Sequence, residues 1–325
     1  MTAQEHYDGQ YGRWMEMREM RDGFEFDAIL YPYYKKDAIR ITDEHRALED
    51  YQAYINAHGI EQAEIIMPDL EILKRCPTLK YLRIIPYNAP DDLDLSPIYE
   101  LPEVKELYCY NRYGEDGKYF REVDYLRVPG LISINFEANR GTLNYNRVET
   151  LRSVHAGGFR GKNRDLTDLF CSTEVDTLSL IQCGMNSLNG IETSRKMQCV
   201  YLHYNRCLND ISALGKVKET LRALRIENCP KIQDFSVLGE LENLELLELT
   251  GSNALPSLDF LKRMKSLKTF VFSVNVLDGD LSPCLGLSYV YSEKDRRHYN
   301  LKDADMPRGK CFRGNENIEE WRRME

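Results

Sequence analysis

No stretch of this 325-residue sequence approaches the roughly 20 uncharged apolar residues that a membrane-crossing helix needs. Its first residues, MTAQEHYDGQYGRW, also lack the basic region and apolar run of a secretory leader. Cytoplasmic residence without membrane contact is the expectation. No long block carries charge of one sign, and a net charge of −9 supplies no basic stripe to release counterions, so nucleic acid is a disfavoured partner. Nine cysteines, odd in number and scattered, argue for reduced thiols rather than a disulfide framework. HExxH, a CxxC pair and a nucleophile elbow are all missing, and the carboxylates near D-A-D (303–305) close no calcium-loop ligand set. Neither a metal nor a cofactor is expected.

What the sequence does have is a repeat. The pattern L-x-x-L-x-L-x-x-N/C fits MQCVYLHYN (197–205), LRALRIENC (221–229), LELLELTGS (244–252) and LKTFVFSVN (267–275), whose starts lie 24, 23 and 23 residues apart. Looser copies are LKYLRIIPY (79–87), VKELYCYNR (104–112), LISINFEAN (131–139) and VDTLSLIQC (175–183), and weaker ones begin at Ile60, Val148 and Leu287. The second half repeats too: NRCLNDISAL (205–214) aligns with CPKIQDFSVL (229–238).

The chain thus resembles the leucine-rich repeat family, and within it the short bacterial repeats of internalin type. The resemblance implies an α/β solenoid, a curved right-handed horseshoe with a parallel β-sheet on its concave face, and a concave face that binds partners. The expected organisation is an N-terminal cap (1–59), about eleven repeat units over 60–291 and a C-terminal cap segment (292–325). In the N-terminal cap, 24–34 alternates like a short strand pair, and 42–59 predicts an amphipathic helix with Thr42 as N-cap and Gly59 as stop. Phe312, Ile318 and Trp321 give the last segment, a closing loop and short helix, something to dock with.

Alternation within L-x-x-L-x-L sends Leu202, Leu224, Ile226, Leu247 and Leu249 to one face and their neighbours to the other. The Asn or Cys beyond each strand can bond free backbone groups of the adjacent turn, which makes Asn139, Cys183, Asn205, Cys229 and Asn275 a structural ladder. Parallel pairing lines up equivalent outward positions at about 4.8 Å. The columns bring together Tyr81, Arg83, Glu106, Tyr108, Tyr110, Arg152, Tyr201, His203, Arg225, Glu227, Glu248, Tyr289 and Tyr291 as candidate partner-binding residues. Tyrosine and arginine suit an interface because each gives large area with a polar handle.

Three stretches invite chemistry. Cys199, His203 and Cys207 recur every four residues, but on an extended strand Cys199 and His203 stand roughly 13 Å apart, too far to share an ion or a proton. HAGGFRGKN (155–163) fails the phosphate-loop pattern at Ala156 and Asn163 and reads as a solvated insertion. Asp210 and Asp234, with Ser212 and Ser236, recur at one phase, which points to turn capping. The expected function is therefore non-enzymatic: a monomer binding a protein partner on its concave face, in the manner of an immunity or inhibitor-type protein facing a basic target. The alternatives are an enzyme or ligand-binding protein using RRHYN (296–300) and RGKCFRGN (308–315), and a surface adhesin-like repeat protein, which the first residues disfavour.

Overall fold

A computed structural model of the protein describes residues 17–28, 38–42, 46–67, 69–85, 93–113 and 119–312. The chain divides into two compact units, Met1–Leu151 and Arg152–Glu325.

The described part of unit 1 begins with an antiparallel hairpin, β1 (Met17–Arg21) and β2 (Phe24–Ala28), turned by Asp22 and Gly23, both at positive φ. That geometry matches the twist of the two strands. Strand β3 (Ala38–Thr42) pairs antiparallel with β2 and parallel with β4 (Gln62–Ile66), and the connection between β3 and β4 contains the helix α1 (Leu48–His58). Strands β5 (Tyr81–Ile84), β6 (Glu106–Cys109) and β7 (Ser133–Glu137) continue the sheet in parallel. Single 3₁₀ turns such as Glu71–Arg75 and Ser96–Glu100 carry the chain back between them.

The helix ends as expected, with Gly59 left-handed and its N–H on the Ile55 carbonyl. Its start differs. Thr42 is the last residue of β3, and α1 begins after an extended Ala47 with no side-chain cap, so Thr42 caps nothing. The hairpin holds the helix instead: Phe24 stacks on Tyr54 at 4.0 Å, Tyr54 Oη donates to Asp22 at 3.1 Å, and Arg46 donates to the Gly23 carbonyl. The expected strand pair over 24–34 lies only partly within the described residues.

Unit 2 is more regular. Seven strands pair in parallel in sequence order: β8 (Ser153–Gly157), β9 (Thr177–Ile181), β10 (Cys199–His203), β11 (Ala223–Glu227), β12 (Leu246–Thr250), β13 (Thr269–Phe272) and β14 (Tyr289–Ser292). The registers keep apolar beside apolar, except that Phe272 faces Ser292 in the last strand pair. Val154, Leu178, Val200, Leu224, Leu247, Phe270 and Val290 form one buried row, and Ala156, Leu180, Leu202, Ile226, Leu249 and Phe272 the next. Burying each Leu, Ile or Phe contributes about 1.5–3 kcal/mol, and a single repeat has no second face to bury it against.

Each return passes through a short 3₁₀ turn, among them Ser212–Val217 and Ser236–Glu240. Asp210 and Asp234 accept the backbone N–H of Ser212 and Ser236 at 2.9 and 2.8 Å, so the repeated Asp-x-Ser opens the turn. No helix among the described residues is long and apolar enough to cross a membrane.

Candidate interaction face

The ladder residues set the turn from which each outward strand is presented. Asn205, fully buried, accepts the Cys183 N–H at 2.8 Å and donates to the Leu180 carbonyl at 2.9 Å, joining two successive turns. Cys183 and Cys229 use their thiols as weak donors, to the Ala156 and Ile181 carbonyls and to the Leu202 and Glu227 carbonyls. Burial pushes these thiols up to about 12 and about 11, so both stay protonated at neutral pH. In unit 1, Asn139 bonds Asn111 and the Glu137 carbonyl at 2.9 Å each.

Asn275 departs from the expectation. Its backbone N–H donates to the Asn253 carbonyl, while its side-chain oxygen is buried without a hydrogen-bond partner. Asn253 supplies the side-chain bonds, to the Cys229 and Ile232 carbonyls, because Gly251 at φ 128° adds a residue to that turn. At the final turn Tyr299 Oη donates to the Val274 carbonyl and accepts the Val276 N–H.

The outward columns of unit 1 bring the expected Tyr81 beside Glu106 and Arg83 between Glu64 and Tyr108, and extend the first to Gln62 and Ser133 and the second to Asn135. Tyr81, Arg83, Glu106, Tyr108, Tyr110 and Glu137 are all half-buried. Arg83 lies 5.6 Å from the Tyr108 ring centre and 3.8 Å from the buried Glu64 carboxylate. Burial, then the neighbouring Glu106, raises the Tyr81 phenol above its ordinary range, so it remains a donor.

Unit 2 corrects the expected columns in both register and exposure. Arg152 is not in the middle column; it precedes β8 and pairs with the fully buried Asp176 at 3.0 Å. Leu151, rather than Val148, is the first apolar residue of that repeat, which sends Val154 and Ala156 into the core and His155 outward beside Ser179. His155 was not foreseen. Burial drives it down to about 3, and its Nε2 stands 3.0 Å from Ser153 Oγ. The HAGGFRGKN stretch is only in part the expected solvated insertion: it begins inside β8 and buries Phe159, while Gly158, Arg160, Lys162 and Asn163 are exposed.

The second correction concerns exposure. Tyr201, Arg225, Glu248, Tyr289 and Tyr291 point outward by register yet are buried, Tyr201 to 3 % and Glu248 to 1 %. Arg225 stands 5.1 Å over the Tyr201 ring and 3.4 Å from the Glu248 carboxylate. Burial and then Glu293 push the Glu248 carboxyl up to about 8. Burial also pushes the Tyr289 phenol up to about 12.

The chain's own C-terminal segment contributes to that cover. Phe312 joins Cys199, Tyr201, Ala223 and Leu246 in one buried cluster, and Cys311 packs on Val271, Tyr289 and Tyr291. Ile318 and Trp321 lie outside the described residues.

What unit 2 leaves accessible is a rim at the strand ends. His203 Nδ1 and Glu227 stand 2.9 Å apart at about a fifth exposure, with Ile181 and Tyr204 exposed beside them. The hydrogen bond from His203 holds the Glu227 carboxyl below its ordinary range. Gln182, Tyr204 and Asn228 follow three successive strands, and all three are left-handed although none is glycine.

The enzyme candidate at the C-terminal end is used structurally. Arg296 and His298 bond the Ser273 and Val276 carbonyls, and Asn300 bonds Asp280 and Ser282. Among the described residues no cluster of His, Cys, Asp or Glu could hold a metal ion. A cleft in unit 1, about 560 Å³, is walled by Arg121 and Arg127 but equally by Asp94, Glu122 and Asp124, which selects no ligand charge.

No protein-family model matches the chain, and no curated protein matches it in sequence.

Proposed function

We propose that the protein is a non-enzymatic interaction module of leucine-rich repeat type, binding a protein partner on the outward face of its sheet. The observation that carries this reading is the partly exposed group in unit 1, where Arg83 lies over Tyr108 and Tyr81 pairs with Glu106 on neighbouring strands. Flat, rigid strands presenting tyrosine and arginine at a fixed spacing supply contact area at little entropic cost. The rim of Ile181, His203, Tyr204 and Glu227 offers a second contact strip. Catalysis is disfavoured because the thiols at Cys183 and Cys229 are held protonated and the polar groups of 296–300 are spent on the backbone. A role as an immunity or inhibitor-type protein toward a basic partner suits the net charge of −9.

A photo-crosslinking amino acid at Tyr108, compared with one at exposed Leu285 away from the face, tests the reading in native lysate. A discrete adduct from position 108 and none from 285 is the expected result. Matching adduct patterns from the two positions, or none from either, would overturn it.

A further inference from the structure

We propose that the apolar seat on the outward face of unit 2 recognises an extended peptide bearing an aromatic anchor flanked by basic residues, and that residues 307–312 of the chain occupy it in this state. The inference rests on the reading of the outward face as a binding surface and specifies what one part of it takes.

The C-terminal segment engages the sheet as a bound peptide would. Pro307 accepts the Val290 N–H at 3.0 Å, Arg308 bridges antiparallel to Tyr289, and Gly309 donates to the Ser288 carbonyl at 2.9 Å. Arg308 also donates to the Val290 carbonyl, pairs with Asp303 at 2.5 Å and lies within 5.9 Å of the Tyr289 and Tyr291 ring centres. The segment then turns inward. Phe312 donates its N–H to Thr269 Oγ1 at 2.8 Å, its ring joins the Cys199, Tyr201, Ala223 and Leu246 cluster, and Lys268 Nζ stands 5.1 Å from the ring centre. Main-chain pairing along a strand, one aromatic in an apolar seat and cations at its edge together make up a recurring mode of peptide recognition.

The seat itself is unusual for this face. Cys199, Ala223 and Leu246 occupy one outward column on consecutive strands, where unit 1 carries Gln62, Tyr81 and Glu106. Three small or apolar side chains in sequence leave a site that polar solvent does not satisfy, and an aromatic ring covers it. Charge matches as well. The stretch RGKCFR (308–313) has three cations and no anion, while Glu227 and the exposed Glu293 stand at the ends of strands β11 and β14. A tethered segment competes at an effective concentration in the millimolar range, so a partner must displace it.

The test uses the full chain and a fluorescein-labelled peptide of sequence MPRGKCFRGN, residues 306–315. Phe312→Ala empties the seat in cis, and the peptide is expected to bind this variant at least about 10-fold tighter than wild type. The same peptide carrying Phe312→Asp should not bind. Adding Ala223→Leu, which fills the seat, should abolish the gain. Alkylation of Cys199 should accelerate in Phe312→Ala while buried Cys183 stays protected, which also reports that the variant is folded. Equal peptide affinity for wild type and Phe312→Ala, or unchanged Cys199 reactivity with Cys183 protected, would overturn the proposal. That outcome together with cross-linking at Tyr108 removes the seat and leaves the interaction reading standing; loss of both removes both.

Discussion

At the scale of single residues, Glu248 has the most testable electrostatics. Its carboxyl is pushed up to about 8 from an ordinary 4.5, so between those values the folded state keeps a proton that the unfolded chain has released. Stability from this group is complete below pH 4.5 and is lost as pH rises through 8. Glu248→Gln keeps the shape without the proton. The wild-type melting temperature relative to this variant should therefore fall from pH 5 to pH 9, and a pH-independent difference would refute the assignment. Some residue roles were legible in the sequence and others were not, for a definite reason. Asn205 was legible because a buried amide beyond a strand has few other uses. His155 was not, because Val148 and Leu151 are both apolar and three apart, so two registers fit and only packing chooses between them.

At the scale of the element, the turn matters more than the strand. Asn205 holds the turn after β9 to the turn after β10, and Ala in its place leaves the Cys183 N–H and the Leu180 carbonyl buried and unbonded. Asn205→Ala is expected to cost about 2–4 kcal/mol in urea unfolding, with an unchanged denaturant slope. A loss under 0.5 kcal/mol would mean that the turns are held otherwise. The strands and their phase could be read from the L-x-x-L-x-L spacing alone, since parallel pairing preserves it. The insertion at Gly251 could not, because one extra residue at φ 128° moves the ladder role from position 252 to Asn253 without disturbing the apolar pattern on either side. Thr42 misled for a similar reason: a good capping residue is also a good strand residue, and its neighbours Ile39 and Ile41 decide in favour of the strand.

At the scale of the molecule, each unit is a stack in which a strand touches only its neighbours, so stability is shared along the stack. Leu202→Ala in the middle of unit 2 should cost about 2–5 kcal/mol and lower hydrogen-exchange protection through β9 to β12 together. Loss confined to β10 would show that the repeats open independently. At this scale the sequence marks Phe312 as a docking residue but not its seat: Phe312 meets Cys199 across more than a hundred residues, and no periodicity encodes that contact. The same C-terminal segment has one more consequence. A sheet that adds parallel strands at a fixed step can keep growing on another molecule unless the N–H and carbonyl groups of its last strand are used. Here Pro307 takes the Val290 N–H and, having none of its own, offers nothing for a further strand to pair with. Release of this segment would therefore turn β14 into a template for fibre growth, so that holding Phe312 in place also guards the protein against self-assembly.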